Sequence, residues 1–529
     1  MSYREGTSPT EVDHRIGPLI TLAIVFALVI WGLVDPESLG SALSDFAAGA
    51  LAIFDTSILS LGWFVLFLII AICVTPIGGI RIGNGPPAFS RFAFIAMVFS
   101  GAQGGALVTW SVYQPAAFYL DIPLDVGQGT DYISTVVAYT AFHWSAPIYA
   151  IWGIAAVFVV LLLRNKTTKE HSITSAVDVT LDLEHRPSVS LKQRQAVLTL
   201  VDILCIFALL FAFAANMAII GKQVAAGLAE QLVDTPFLEL AGEGTVILLI
   251  SSSAGLISIL GLHKGIARFA RANVFIGFGM LLVIFALTFS TDLLAVIGGA
   301  VLKLAHLSVT LPLDLAFSSD EEVIKFRREW ASVNYLWSFA YISLFIPFYI
   351  RIGMGRTLRE FILVTSLVPS VTALLWLGVF GGGALVSPDI DLESLTTRAS
   401  AGDQSVFYTY LNSLPFSEFF TRLALLILMI FAITTYAPLI YELAATVGKG
   451  NKAYLISAKV FWSISFAVLA IIIAGSPSLK VVLQFTSVGA YGVVVVFLLV
   501  LFGAARLLIN GARSRGSETN YDDRVPEND

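Results

Sequence analysis

The chain has 529 residues, of which 57% are hydrophobic and only 13% are charged, with a formal net charge of −6 and a mean hydropathy of +0.85. Soluble domains carry about twice that share of charge, so a water-soluble fold is excluded, and the acidic balance speaks against a nucleic-acid partner. Uninterrupted apolar runs of about 20 residues recur, each long enough to cross a ~30 Å hydrocarbon core as a helix, which also excludes an outer-membrane barrel.

These runs predict an all-α polytopic membrane protein of about twelve spans: 16–35, 56–76, 90–114, 142–163, 199–225, 244–262, 273–300, 331–350, 361–384, 419–445, 454–475 and 482–508. The first run follows a mixed-charge leader, 1–15, and ends at Asp35-Pro36 without a small-residue cleavage site, which reads as a retained span. Cys73 and Cys205 fall inside apolar runs, where they read as small hydrophobes. Basic residues occupy alternate loops: Arg81 and Arg91, then Arg164 through Arg194, then Lys264 through Arg271, then Arg351 through Arg359, then Lys449 and Lys452. That asymmetry assigns these loops, and both termini, to the cytoplasmic side of an inner membrane. The loops at 36–55, 115–141 and 226–243 hold Asp and Glu but neither Lys nor Arg, as the opposite side should. Residues 301–330 break the pattern, with Lys303, Lys325, Arg327 and Arg328 amid Asp320, Glu321, Glu322 and Glu329. They read as an external amphipathic segment, either a plain solvated helix or a gating element. The polar stretch 509–529 reads as a short cytoplasmic tail.

Four stretches carry chemistry. In the third span, Ser100-Gly101-Ala102-Gln103-Gly104-Gly105-Ala106 is either a close-packing face between helices or an unwound junction whose free backbone groups bind ion and solute. Trp144, Tyr149 and Trp152 fall on one broad face of the fourth span, and Trp337 and Tyr341 are i,i+4 partners in the eighth. They form either interfacial aromatic belts or, facing each other, a cage that holds a methylated cation by its ring faces. In the tenth span Phe431 precedes Thr434 and Thr435, whose hydroxyls either bond back to their own helix or, beside an unwound segment, serve sodium as hard oxygen ligands. Lys222 and Glu442 are charges near span ends, either snorkelling or functional. The sequence holds neither a Gly-rich phosphate loop nor a paired-carboxylate metal motif, and its six His are scattered. No resident cofactor is expected, which disfavours an intramembrane enzyme and an ATP-driven pump.

Gly355-Arg356-Thr357-Leu358-Arg359-Glu360-Phe361, Leu375 through Gly382, Ile80-Arg81-Ile82-Gly83 and Pro87-Ala88-Phe89-Ser90 together resemble the betaine/choline/carnitine transporter family, over about Gly78 to Gly503. The resemblance implies a fold like that of the leucine transporter: two inverted five-helix repeats, 90–300 and 331–508, after two accessory helices within 16–89. It implies an aromatic box of Trp144, Tyr149, Trp152, Trp337 and Tyr341, with Gln103 beside it. It implies a sodium site of the Ser100, Gln103 and Phe431 carbonyls with the Thr434 and Thr435 hydroxyls, and it suggests a homotrimer. The chain departs from the family's pattern at Ala102 through Ala106, at Gln114, at Ser338 in place of a cage Trp, and at Tyr436-Ala437-Pro438. The expected function is alternating-access transport of a small methylated onium solute, with sodium. A sodium-independent exchanger with Lys222 in the ion's place, or an amino-acid symporter of the same fold, are the alternatives.

Overall fold

The computed structural model describes residues 16–123, 129–164, 171–232, 242–261, 265–448, 452–475 and 479–522. Helices α1 (Ile16–Val34) and α2 (Pro36–Val74) open the chain. They join at Asp35, whose side chain accepts the Ser38 N–H at 3.0 Å, while Pro36 sits in the first turn, where a missing N–H costs nothing. The second span therefore begins at Pro36, and the loop expected at 36–55 is the first half of α2.

Next come α3 (Arg91–Ala102) and α4 (Gly104–Asp121), bent by 54° at their junction. Helices α5 (Gly129–Phe142) and α6 (Ala146–Leu163) are parted by a turn at 143–145 yet run on as one 35-residue apolar segment. The loop expected at 115–141 is thus largely helical where it is described. The first half continues with α7 (Ile173–Leu181), α8 (Leu191–Leu232), α9 (Glu243–Gly261) and α10 (Ala267–Leu287). The seventh span ends at Leu287 rather than 300, because Ser290 caps a new helix, α11 (Thr291–Phe317), by accepting the Leu293 N–H at 3.1 Å. Only the short polar stretch Thr288-Phe289-Ser290-Thr291-Asp292 marks this cap between two apolar runs.

In the second half, α12 (Glu321–Phe326) passes through a π turn into α13 (Ser332–Ala340), which meets α14 (Ile342–Gly353) at a 55° bend. Then follow α15 (Leu358–Trp376), a π turn, α16 (Gly383–Val386), α17 (Leu392–Ser400), α18 (Val406–Asn412), α19 (Ser417–Gly448), α20 (Lys452–Ala474) and α21 (Leu479–Asp522). Helix α21 carries the backbone through most of the expected tail, while 523–529, the leader 1–15 and the basic residues Lys166, Lys169, Lys264 and Lys449 lie outside the described residues. Among the described residues, ten helices are long and apolar enough to cross a membrane, or up to twelve when each bent pair counts as one span. Large apolar side chains such as Phe26, Ile53, Phe275, Leu282 and Leu302 face outward, as lipid allows. The chain is an all-α polytopic membrane protein.

Two contacts fix the broken spans. On the basic face, the loop before α3 pairs with the loop after α14: Ile82 N donates to Arg356 O at 2.9 Å, Gly355 N to Ile82 O at 2.7 Å, and Leu358 N to Ile80 O at 2.8 Å. Gly355 has φ +81°, and a Cβ there would lie 2.4 Å from the Pro86 carbonyl carbon, so the turn requires glycine. Arg356 caps the seam by donating to Glu360 at 2.6 Å and to the Phe89 carbonyl at 2.8 Å. On the opposite side, Arg327 donates to Asp55 at 2.8 and 3.0 Å and to the Leu315 and Ala316 carbonyls, and Arg328 donates to Asp55 at 2.9 Å. Asp55 and Arg327 are both buried. The charges of 301–330 are therefore not all solvated, since Arg327 ties α12 and its π turn to α2.

Candidate functional site

A helix broken inside a membrane leaves backbone groups that lipid cannot satisfy. At the first break, Gln103 is fully buried, and its side-chain amide donates to the Tyr149 hydroxyl at 3.0 Å and to the Pro369 carbonyl. Its Oε1 has no partner among the described residues. Both readings of the small-residue cluster hold in part: the chain bends at Gln103, and a Cβ on Gly105 would lie 2.6 Å from Ile220 of α8, so that glycine serves close packing. At the second break, Trp337 donates through its indole N–H to the Tyr341 hydroxyl, which donates to the Ala212 carbonyl at 3.3 Å.

Between the breaks lies a cavity of about 50 Å³. It is lined by Gln103, Trp144, Tyr149, Trp152, Trp337 and Tyr341, all six expected solute-binding residues. Trp152 stacks on Phe345 at 4.0 Å with an 8° tilt, donates to the Ser338 carbonyl at 2.7 Å, and meets Tyr149 and Tyr341 edge-on at 5.4 and 6.0 Å. Ser338, the departure from the family's cage Trp, donates to the Ile148 carbonyl at 2.9 Å, tying α13 to α6. Trp144 stands in the turn before α6, so its direction comes from that turn and from its 2.7 Å bond to Gln114, not from helical periodicity.

Several walls of this cavity carry little or no mark in the sequence. Phe213 of α8 meets Tyr341 at 4.5 Å, and Asn216 and Asn334 contribute amides. The Asn216 Oδ1 has no partner among the described residues. Trp110, behind the cage, lies 6.4 Å from Trp144 and 6.1 Å from Trp337. Its place on the broken third span, two turns past Gln103, was the available signal; Phe213 and Asn216 sit in an ordinary apolar run and give none. Trp144, Trp337 and Asn334 also line a small neighbouring cavity of about 20 Å³ that reaches Glu329 and Trp330.

Beside the first break four of the expected ion residues, Ser100, Phe431, Thr434 and Thr435, come together. Thr435 Oγ1 donates to the Phe431 carbonyl at 2.9 Å and reaches the Ser100 carbonyl at 3.5 Å, while Thr434 Oγ1 donates to the Ile430 and Phe431 carbonyls at 3.0 Å each. Asn273 of α10, not anticipated, donates to Thr434 at 2.5 Å and to the Ser100 hydroxyl at 3.5 Å. The Gln103 carbonyl accepts the Leu107 N–H at 3.1 Å. Back-bonding of the threonines and their approach to the broken helix are thus both present. Lys222 is half-buried on α8 and is not among the residues lining these cavities. Glu442 does not snorkel: it is buried and accepts from Arg351 at 2.9 Å. Among the described residues, no three His, Cys, Asp or Glu converge as a metal site.

Comparison with known proteins agrees with this architecture. The pattern of the betaine/carnitine/choline family of transporters matches residues 18–513. A betaine/ectoine transporter of Corynebacterium glutamicum is 24% identical over 469 residues, 86% of this chain and 70% of its own. A glycine betaine/proline/choline/ectoine transporter of Vibrio parahaemolyticus is 24% identical over 504 residues, 93% of this chain and 85% of its own. An ectoine/hydroxyectoine transporter of Virgibacillus pantothenticus is 23% identical over 515 residues, 93% of this chain and 96% of its own. The match runs through both broken spans, the cavity between them and the seam that joins them, and the chain belongs to the betaine/carnitine/choline family of transporters.

Proposed function

We propose that the chain carries a small onium zwitterion across the inner membrane by alternating access, with sodium moving in the same direction. The observation that supports this most is the convergence of Gln103, Trp144, Tyr149, Trp152, Trp337 and Tyr341 on one cavity between two broken spans. Each ring face attracts a methylated ammonium by about 0.5–2 kcal/mol, without a carboxylate. The substrates in the relatives' names are small onium solutes: betaine, ectoine and proline are zwitterions, and choline is the corresponding plain cation. Unpartnered Gln103 Oε1 and Asn216 Oδ1 extend it to cargo bearing an N–H, as ectoine and proline do. A volume of about 50 Å³ admits one or two waters, at about 30 Å³ each, so the two bends act as hinges that widen the cavity for solute.

Sodium is placed, in this reading, at the carbonyls of Ser100, Gln103 and Phe431 and the hydroxyls of Thr434 and Thr435. Unwound carbonyls with neighbouring hydroxyls are the donors such transporters offer the ion, and each charge crossing with a 100 mV potential supplies ~2.3 kcal/mol. Ion binding would replace the bonds these oxygens now make within the protein. Both termini lie on the cytoplasmic side, and the assembly is a trimer; tag accessibility in sealed vesicles and the mass of the purified complex check these two points. Uptake of radiolabelled glycine betaine, ectoine and proline into proteoliposomes, with and without an inward sodium gradient, tests the whole. Accumulation that follows the gradient is expected. Transport of none of the three removes the reading, and sodium-independent uptake removes only the coupling.

A further inference from the structure

On the basic face, an open cavity of about 1080 Å³ lies against the seam that joins the loop before α3 to the loop after α14, and it shares no residue with the aromatic cavity. Four arginines line it, Arg81, Arg91, Arg356 and Arg359, against one carboxylate, Glu360. Glu360 accepts from Arg356 at 2.6 Å and from Arg91 at 3.2 Å, which leaves the lining with a surplus of three positive charges. Arg81 and Arg359 have neutral partners instead. Arg81 donates through Nη1 to the Gly355 carbonyl at 2.9 Å, and Arg359 donates through Nε and Nη2 to the Cys73 and Thr75 carbonyls at 2.6 and 3.1 Å. The stretch 75–90, part of which forms one wall, holds neither Asp nor Glu. Two helices also begin in the wall: Ser90 caps α3 by accepting the Ala93 N–H at 3.3 Å, and Thr357 caps α15 by accepting the Glu360 N–H at 3.2 Å. The positive ends of two backbone dipoles therefore add to the arginines.

What lies next to this charge decides which anion it suits. Arg359 stands at the head of an outward stripe on α15, where Leu363, Leu367, Val371 and Leu375 follow at every fourth residue, all exposed. At 1.5 Å per residue, the stripe from Leu363 to Leu375 is about 18 Å long, close to the ~15 Å of hydrocarbon in one leaflet. Leu363 is itself in the cavity wall, so the charged and apolar surfaces are continuous. A soluble anion uses only the first surface, whereas a phospholipid uses both. The planar fork of a guanidinium suits phosphate oxygens. Arg91 bonds Glu360 through Nε alone, and its side chain is 84% exposed, so its two terminal nitrogens are open to such a headgroup.

We propose that this cavity binds the phosphodiester headgroup of an anionic phospholipid, held by Arg81, Arg91 and Arg359, with an acyl chain laid along the α15 stripe. The inference stands apart from the nature of the cargo. Each arginine beside an anionic headgroup strengthens binding about fivefold. Phosphatidylglycerol brings one net negative charge to the surplus, whereas the choline ammonium of phosphatidylcholine cancels its phosphate. The cavity therefore selects the first lipid over the second.

The test is native mass spectrometry of the purified full-length protein, counting the lipids retained on titration with phosphatidylglycerol or phosphatidylcholine. One more phosphatidylglycerol per chain than phosphatidylcholine is expected. Arg91→Ala should weaken retention of that lipid about fivefold, Arg91→Lys should restore most of it by returning the charge, and Lys192→Ala, which removes an exposed charge outside the cavity, should leave it unchanged. Leu367→Asn, on the stripe below the arginines, should weaken the lipid as well, although it alters no charge. Inorganic phosphate is the soluble arm, and it should displace the lipid only at a large molar excess. Displacement at equal concentration, with the same dependence on Arg91 and none on Leu367, assigns the cavity to a free anion and overturns the lipid. Equal retention of the two lipids, or retention indifferent to Arg91→Ala, overturns the proposal outright.

Discussion

The first helix of each half bends by nearly the same angle, 54° at Gln103 and 55° at Tyr341, with different chemistry at the two bends. At Gln103 a side-chain amide ties the bend to Tyr149 of α6 and Pro369 of α15, and the neighbours are small. At Tyr341 a ring hydroxyl ties it to the Ala212 carbonyl of α8, and the neighbours are aromatic. The arms are also held differently. The arm before the second break is fixed by the buried Asp55–Arg327 pair, whereas the arm before the first begins at Arg91, whose bond to Glu360 at 3.2 Å is largely exposed. The contrast is one of surroundings and anchoring: the first break stands beside carbonyls and hydroxyls, the second beside ring faces, and the arm before the second is the more firmly anchored.

The sharpest challenge to that contrast is Asp55→Asn. It leaves the guanidinium of Arg327 buried without its anion, which costs about 3–5 kcal/mol, and the thermal midpoint of purified protein should fall by several degrees. A midpoint that does not move means the second arm is not clamped there. Next in size is Trp152→Leu, which removes a ring face, the stack on Phe345 and the indole bond to Ser338, together about 3 kcal/mol. Uptake at low solute should drop about 100-fold with sodium affinity little changed; an equal loss of both would mean the two breaks are not chemically separate.

Gln103→Leu probes the other bend. It takes from the Tyr149 hydroxyl its donor and from the Pro369 carbonyl one of two, Thr372 still donating at 2.9 Å, at about 1–3 kcal/mol, and tenfold or more should be lost from both sodium and solute affinity, since Gln103 borders both groups. Unaltered uptake would show that the neighbouring glycines alone sustain the break. Thr435→Ala deletes one expected ion ligand and should raise the sodium concentration for half-maximal uptake about tenfold, or ~1.4 kcal/mol, at unchanged solute affinity when sodium saturates. A shift confined to solute would assign the hydroxyl to the cavity that Thr435 also lines.

Much of this was legible in the residues. Apolar runs announce spans because nothing else in the chain can be so long and so free of charge, and Trp337 and Tyr341 announce a shared face by their spacing. What stayed hidden is of two kinds. Helix starts at Pro36 and Thr291 depend on Asp35 and Ser290 caps, which in a sequence look like any loop residue. The cavity's remaining walls, Phe213, Asn216 and Phe345, and the helper Asn273, reach the site only by tertiary packing, so no local pattern marks them. The spacing of Trp144 puts it on a helix face with Tyr149 and Trp152, yet the turn at 143–145 aims it.

The smallest effect belongs to the exposed pair. Arg91 shares Glu360 with Arg356, which is itself 2% exposed and lies 2.6 Å away. When Arg91 becomes Ala, Glu360 keeps that second partner and the seam keeps its backbone bonds from Ile82, Gly355 and Leu358. An exposed ion pair contributes about 0.5 kcal/mol or less, so uptake should stay within about twofold and lose its slight dependence on ionic strength. A loss as large as that of Asp55→Asn would mean both arms are equally clamped, and the asymmetry between the two broken spans would then reside in the chemistry of their bends alone.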